Sequence, residues 1–136
     1  MSESSTGRLI TSFAATVIVV ASVAALAQSD VSKSKICSAY DGGWSPDGGA
    51  VTTGQITMSN DGGWCGDRLG IKYGSAVFGG TMRLIQQPAH GQVSIVFHQD
   101  ATDVSYKPNP GYTGPDDFAV LVEFYNINKP YHVVVK

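Results

Sequence analysis

From residue 51 to the end of the chain, short runs of apolar and polar residues alternate and are separated by clusters of Gly, Pro, Asn and Asp. The clearest run is QVSIVFH at 92–98, in which Val93, Ile95 and Phe97 share one face of an extended strand. Alternation with a period of two, bounded by turn residues, is typical of β-strands. No run in this region repeats its apolar residues with the 3.6-residue period of a helix. The pattern therefore predicts an all-β sandwich or barrel.

The same pattern predicts about seven strands at close and fairly regular spacing. They cover residues 51–59, 69–74, 81–87, 92–98, 103–107, 117–125 and 131–136. Within 117–125 the alternation places Phe118, Val120, Val122 and Phe124 on one face.

The N-terminal part of the chain differs from the rest. Residues 13–27 form an uncharged apolar run that follows Arg8 and closes on a small-x-small pattern, which predicts a secretory signal peptide at 1–27, cleaved after Ala27. The alternative is an uncleaved membrane anchor, although the run is shorter than the roughly 20 residues of a membrane helix. Residues 28–35 are expected to be a flexible polar lead, and residues 36–136 a single domain.

Charge narrows the classes of partner. Nine Lys and Arg residues stand against eleven Asp and Glu residues, for a net charge of −2, and the basic residues form no run. We therefore expect no nucleic-acid partner, and no membrane contact once the signal is removed. The expected location is periplasmic or secreted.

The two cysteines, Cys37 and Cys65, fit an exported chain because an oxidising compartment would pair them. Closing a loop of this length stabilises a fold by roughly 3 kcal/mol on the chain-entropy model. A metal or redox pair is the alternative, but it needs closer spacing or further ligands.

The segment YKPNPGYTGPDDF at 106–118 concentrates turn residues immediately before an apolar strand. Pro108 cannot donate a ladder hydrogen bond, so the strand through Tyr106 must end there. Glycine permits backbone angles that other residues resist, and an aspartate can accept backbone N–H bonds where the chain restarts. The segment therefore predicts a structural corner between two strands. Its members are Tyr106, Pro108, Gly111, Tyr112, Gly114, Asp116 and Phe118.

The corner belongs to a longer string, QPAHGQVSIVFHQDATDVSYKPNPGYTGPDDFAVLVEF, which resembles the bacterial Ig-like, cadherin-like repeats of large secreted adhesins. Those repeats carry P-x-H-G-x-V, a short strand, Y-x-P-x-x-G-[YF]-x-G-x-D-x-F and a strand of alternating apolar residues. The matching positions are Pro88, His90, Gly91, Val93, Tyr106, Pro108, Gly111, Tyr112, Gly114, Asp116 and Phe118. The resemblance covers residues 84–136. It implies an Ig-like β-sandwich of about seven antiparallel strands, and it is a motif of fold rather than of chemistry.

The tetrapeptide DGGW occurs twice, at 41–44 and at 61–64. One interpretation is a pair of similar turns whose tryptophans pack at their ends. The other is a ligand-binding platform of Tyr40, Trp44 and Trp64, held by the disulfide and offering flat aromatic faces to a sugar or a peptide.

Motifs for catalysis are missing from the sequence: G-x-S-x-G, H-E-x-x-H and a phosphate-binding glycine loop are all absent. The histidines, His90, His98 and His132, have no metal-ligand spacing. The carboxylates of Asp100, Asp103, Asp116 and Asp117 leave calcium as a minor alternative, but no D-x-D-x-D-G loop accompanies them. We therefore expect no enzyme activity, no cofactor and no metal.

Together these features predict an exported, non-catalytic Ig-like protein that acts as a binding or adhesion module. Its partner would be a protein or glycan at the cell envelope. The alternative is a structural subunit that associates with itself or packs into a larger envelope or extracellular assembly.

Overall fold

A computed structural model describes residues 32–42 and 53–136. These ranges form ten β-strands and one 3-10 helix, Glu123–Tyr125, so the all-β prediction is confirmed. The strands are β1 (Cys37–Tyr40), β2 (Gly54–Met58), β3 (Cys65–Leu69), β4 (Ile71–Tyr73), β5 (Ala76–Phe78), β6 (Met82–Gln86), β7 (Gly91–Phe97), β8 (Thr102–Pro108), β9 (Gly114–Val122) and β10 (Ile127–Val135). Within the two ranges, no helix has the length and apolar character needed to span a membrane.

The strands form three sheets. A five-stranded sheet has the order β1-β2-β10-β9-β6, a three-stranded sheet has the order β3-β8-β7, and β4 pairs with β5. β10 runs parallel to β2, with Val133 opposite Ile56. The expectation of antiparallel strands alone is therefore wrong at this pair, because alternation along a strand carries no information about the direction of its neighbour.

The core is built from the inward-facing residues of the two larger sheets. In β8 buried and half-buried residues alternate without interruption. The aromatic rings of Tyr106, Phe118 and Tyr131 stack in sequence, with centroid distances of 6.1 Å and 4.8 Å. These three rings belong to β8, β9 and β10, so the stack crosses from one sheet to the other.

The observed strands differ from the predicted ones in two respects. β1, β3 and β5 were not predicted, since they are short and β3 contains Gly66 and Asp67, residues of low β-propensity. The predicted strand 117–125 instead ends at Val122, and a 3-10 turn follows. Phe124 is consequently 60% exposed instead of facing the core with Phe118.

Residues 32–35, the described part of the polar lead expected at 28–35, make contacts with the rest of the chain. Lys33 forms a parallel bridge with Trp64, and Ser34 is buried. The Ser34 hydroxyl lies 2.9 Å from the carbonyl oxygen of Ser59. The predicted signal peptide at 1–27 and Trp44 lie outside the described residues.

Cys37 and Cys65 form a disulfide, as predicted, with their Cα atoms 5.4 Å apart. The bond joins β1 of the five-stranded sheet to β3 of the three-stranded sheet. A disulfide of this kind persists in an oxidising compartment and is rare in the cytosol.

Candidate functional site

The solvent-facing side of the three-stranded sheet carries a row of small residues. Gly66 on β3 and Ser94 on β7 both lie opposite Ser105 on β8. In β8 the neighbours Val104 and Tyr106 are buried, so Ser105 is directed away from the core. The row therefore forms the floor of a depression that crosses all three strands.

Polar side chains form one wall of this depression. Arg68 on β3 and Val96 on β7 lie opposite Asp103 on β8, and His98 follows at the end of β7. The volume of this open depression is about 360 Å³. We call this depression the sheet groove and define it by Gly66, Arg68, Ser94, Val96, His98, Asp103 and Ser105.

Trp64 and Lys107 flank the other side of the row. Trp64 immediately precedes β3 and is half-buried, and the Nζ atom of Lys107 lies 5.8 Å from the centre of its ring. Gln92 on β7 lies opposite Lys107 and continues this side across the sheet. An aromatic ring beside a lysine cation thus lies on the same face of the sheet, next to the row of small residues.

The polar wall is connected by hydrogen bonds and ion pairs. The Nε2 atom of His98 lies 2.8 Å from a carboxylate oxygen of Asp103. The Nε atom of Arg68 lies 3.6 Å from the other oxygen of Asp103, and its Nη2 atom lies 3.6 Å from Asp100. All four side chains are partly exposed, so their remaining donors and acceptors are available to a bound molecule. The wall carries one arginine and two carboxylates, those of Asp100 and Asp103, so acidic groups outnumber basic ones.

Two members of the predicted aromatic platform, Tyr40 and Trp64, lie within the described residues. Tyr40 is 63% exposed at the end of β1. Tyr40 follows Cys37 by three residues in β1, and Trp64 immediately precedes Cys65, the partner of Cys37 in the disulfide. Trp44 lies outside the described ranges. Trp64 lies two residues before Gly66, on the same face of the sheet as the row of small residues.

The second DGGW turn positions Trp64. A carboxylate oxygen of Asp61 accepts the N–H of Lys35 at 2.7 Å, and the other oxygen accepts the N–H of Gly63 at 3.1 Å. The hydrogen bond from the Lys35 N–H has the largest effect on the pKa of the Asp61 carboxyl, which lies below its ordinary value. The N–H of Trp64 donates to the carbonyl oxygen of Ser32 at 2.8 Å. The turn thus fixes the chain that presents the indole ring.

The predicted corner lies at residues 109–113, between β8 and β9. Pro108 is the last residue of β8, and Gly111 follows with a φ of 78°. Gly114 has a φ of 129°, in the region that favours glycine, and begins β9. The Tyr112 hydroxyl donates to the carbonyl oxygen of Pro115, and the Tyr112 ring stacks on His90 at a centroid distance of 4.1 Å.

Asp116 is the buried acceptor at this corner. Its carboxylate accepts the backbone N–H groups of Ala89 and His90 at 2.9 Å and 2.8 Å. It also accepts the hydroxyl of Tyr106 at 2.8 Å. Burial alone would raise the pKa of Asp116, but the hydrogen bonds from His90, Tyr106 and Ala89 outweigh it, and the pKa lies below its ordinary value. Burial, followed by the bond to Asp116, raises the pKa of Tyr106.

The remaining carboxylates and histidines are dispersed. The Nδ1 atom of His132 on β10 lies 2.7 Å from a carboxylate oxygen of Asp117 on β9, on a different sheet from His98. His90 stacks on Tyr112 at the corner. In residues 32–42 and 53–136, no three His, Cys, Asp or Glu side chains are grouped so that they could hold a metal ion.

Sequence reasoning did not identify the groove residues as a site. The alternation in 92–98 and 103–107 places Ser94, Asp103 and Ser105 on the polar face of their strands, which is the one signal that could have found them. Because β3 was not predicted, Gly66 and Arg68 could not be assigned to the same surface.

Comparison of the chain with models of known protein families, with curated proteins and with solved structures gave no significant match.

Proposed function

We propose that this chain is an exported, non-catalytic binding module with an Ig-like β-sandwich fold, and that the sheet groove binds a neutral glycan. The observation that carries the proposal is the floor of small residues, Gly66, Ser94 and Ser105, between two walls of larger side chains. A sheet surface usually presents large side chains on every strand, whereas the short side chains of Ser94 and Ser105 leave a depression across this one. At Gly66 the place of a side chain is taken by the backbone and hydroxyl of Ser105.

Strand order supports the Ig-like assignment. Ig-like sandwiches pack two sheets with Greek-key connections, and the residues of the two inner faces alternate with outward-facing polar ones. Here β3-β8-β7 and β2-β10-β9-β6 contribute inward residues to one core, with consecutive strands β6 and β7 in different sheets. The disulfide joins the same two sheets.

The side chains around the groove favour a neutral ligand. Arg68 pairs with the carboxylates of Asp100 and Asp103, and Lys107 lies over Trp64 on the other side of the row. Such a surface offers many donors and acceptors for hydroxyl groups but little net attraction for phosphate or nucleic acid. Trp64 adds a flat apolar face, which stacks on the C–H face of a sugar when Lys107 moves aside.

The same contacts favour binding over catalysis. His98 is directed at Asp103, which also pairs with Arg68. In the described part of the chain, neither Ser94 nor Ser105 donates a hydrogen bond to a histidine, so no serine nucleophile is paired with a base in the groove.

The experiment is a titration of the isotope-labelled protein, followed by amide chemical shifts, with neutral trisaccharides of glucose, galactose and N-acetylglucosamine. We expect millimolar-scale affinity and shift changes centred on Gly66, Ser94 and Ser105. Trp64→Ala should weaken binding by about 3–10-fold, the equivalent of one stacked aromatic contact of about 0.5–1.5 kcal/mol.

A substitution that fills the groove provides the matched control. Ser105→Phe should abolish the shift changes, whereas Ser38→Phe, at an exposed position on β1 of the other sheet, should leave them intact. Absence of any response to all three sugars, or a response that survives Ser105→Phe, would overturn the glycan proposal. Protein ligands of the same surface would then be the class to test.

A structural subunit that associates with itself is the second candidate function, and the edge strand β7 is the observation that favours it.

A further inference from the structure

We propose that two copies of this chain pair through β7, antiparallel and about a two-fold axis centred on Ser94, so that the two three-stranded sheets become one six-stranded sheet. β7 is the edge of the order β3-β8-β7. Among the described strands, only β8 is hydrogen-bonded to it. An edge strand presents unpaired N–H and C=O groups that can accept a further strand.

β7 lacks the features that protect a sheet edge. Its seven residues contain no charge and no proline, and its register with β8 runs from Gly91 to Phe97 without a bulge. Natural proteins usually protect an edge with charges, prolines, bulges or short strands.

The other edges of the two larger sheets carry such protection. β3 contains Asp67 and Arg68 and is tied to β1 by the disulfide. β6 contains Arg83, and its register with β9 shifts between Leu84 and Gln86. β1 has only four residues. The contrast indicates that the open edge of β7 serves pairing.

Hydrogen bonds at both ends of β7 determine which residues face the open edge. The N–H of Asn109 donates to the carbonyl oxygen of His90 at 2.8 Å. The N–H of His98 donates to the carbonyl oxygen of Ala101 at 2.7 Å. Both pairs continue the β7–β8 register, in which hydrogen-bonded pairs alternate with pairs that make no bonds. The even-numbered residues of β7 therefore bond to β8. The residues whose N–H and C=O groups face the open edge are Gly91, Val93, Ile95 and Phe97.

This parity selects the register of a symmetric pair. Hydrogen bonds across the new edge require odd-numbered residues opposite odd-numbered residues. With the axis at Ser94, Gly91 lies opposite the copy's Phe97, and Val93 lies opposite the copy's Ile95. All four residues that face the edge are then hydrogen-bonded in both copies, and a shift of the axis in either direction leaves some of them unpaired.

The side chains are self-complementary in the same register. Val93 and Ile95, both half-buried, form apolar cross-strand pairs. Phe97, 61% exposed, lies opposite the copy's Gly91, where the ring of the copy's Tyr106 occupies the place of a side chain, so the two aromatic rings come together. Ser94 lies opposite its own copy, and no like charges meet because β7 has none.

The pairing would also lengthen the sheet groove. The row of Gly66, Ser105 and Ser94 would continue through the copy's Ser94 into its own row. Neighbouring strands lie about 4.8 Å apart, so the row would cross six strands instead of three. The pairing itself depends on backbone and apolar contacts and needs no ligand, so it stands or falls independently of glycan binding.

Cysteine scanning of the full exported domain tests the register. A pair without hydrogen bonds across an antiparallel ladder brings its Cα atoms to about 4.5 Å, within the range that a disulfide bridges. Ser94→Cys should therefore form a covalent dimer under mild oxidation. Gln92→Cys and Val96→Cys are matched controls on the same face. Each would be about 13 Å from its own copy and should form no disulfide-linked dimer alone, but the two mixed together should cross-link.

Sedimentation of charged variants provides the second arm. The wild-type protein should form a dimer in a concentration-dependent manner. Ser94→Lys and Ser94→Asp should each be folded monomers by circular dichroism, and an equimolar mixture of the two should restore the dimer. The proposal is overturned if the wild type stays monomeric up to its solubility limit, if it forms open polymers, or if Ser94→Cys cross-links no faster than Gln92→Cys.

Discussion

The hydroxyl of Tyr106 on β8 donates a 2.8 Å hydrogen bond to the carboxylate of Asp116 on β9. Since β8 and β9 belong to different sheets, this bond links the two larger sheets at the corner where the chain crosses between them. The same carboxylate holds the backbone of Ala89 and His90, at the start of β7. The carboxylate of Asp116 thus holds both the turn that leads into β7 and the start of β9.

Asp116→Asn should lower the free energy of unfolding by about 2 kcal/mol. The amide replaces one acceptor oxygen with a donor that faces N–H and O–H groups, and hydrogen bonds to a charged group contribute about 1.5–3 kcal/mol. Urea unfolding measures the change. Asp117→Asn is the neighbouring control, where the exposed pair with His132 should contribute less than about 1 kcal/mol. Equal losses in the two variants would contradict the role assigned to Asp116.

Stability should also fall in acid because of Asp116. Its pKa in the folded state is below the ordinary value of 3.8, so the unfolded chain binds the proton more readily. The stabilisation is therefore complete above about pH 4 and is lost as the pH falls through the folded-state pKa. Thermal unfolding measured between about pH 2 and pH 6, a range that brackets the ordinary pKa of a carboxyl group, tests this loss. In Asp116→Asn the stability should fall less steeply as the pH is lowered. If the fall is as steep as in the wild type, other carboxylates cause it.

Phe118→Ala should lower the free energy of unfolding by about 3–5 kcal/mol, the usual range for truncation of a buried aromatic residue. Phe118 is 1% exposed and stacks between Tyr106 and Tyr131. Phe124→Ala, in the exposed 3-10 turn, is the matched control and should cost less than about 1 kcal/mol. A denaturant midpoint for Phe118→Ala like that of Phe124→Ala would show that the stack is not part of the stable core.

Replacement of both cysteines by serine should cost about 3–4 kcal/mol, because the disulfide closes a loop with a separation of 28 residues. Unfolding of the wild-type protein with and without reductant provides an independent measurement of the same loss. The serine variant should not respond to reductant. Intact mass of the exported protein should also be lower by two hydrogen atoms than that of the reduced form, and two free thiols after native export would contradict the prediction.

Lys107→Ala should uncover Trp64. In a Trp44→Phe background, Trp64 is the remaining tryptophan, and its half-buried ring should show emission between those of a core and a free indole. Removal of the Lys107 side chain, whose Nζ atom lies 5.8 Å from the ring centre, should shift the emission to the red and increase quenching by acrylamide. Lys72→Ala, at an exposed position on β4, should change neither. Emission that is blue-shifted and resistant to quenching in both variants would place Trp64 in the core and remove it from the groove.

Much of the fold follows from local patterns in the sequence. Alternation of apolar residues located the long strands β7, β8 and β9, because a buried face requires that period whatever its partner. Pro108 marked the end of β8, since proline has no N–H for the ladder. The pairing of Cys37 with Cys65 followed from their number and the expected compartment, and the structure confirms it.

The site was decided by tertiary structure. β3, which carries Gly66 and Arg68, is a strand because it pairs with β8 and is tied to β1, and its own residues favour a turn. The parallel pairing of β10 with β2 and the exposure of Phe124 likewise depend on neighbours distant in sequence. The row of Gly66, Ser105 and Ser94 exists only in the register of three strands, and a register is a relation between segments that none of them encodes alone.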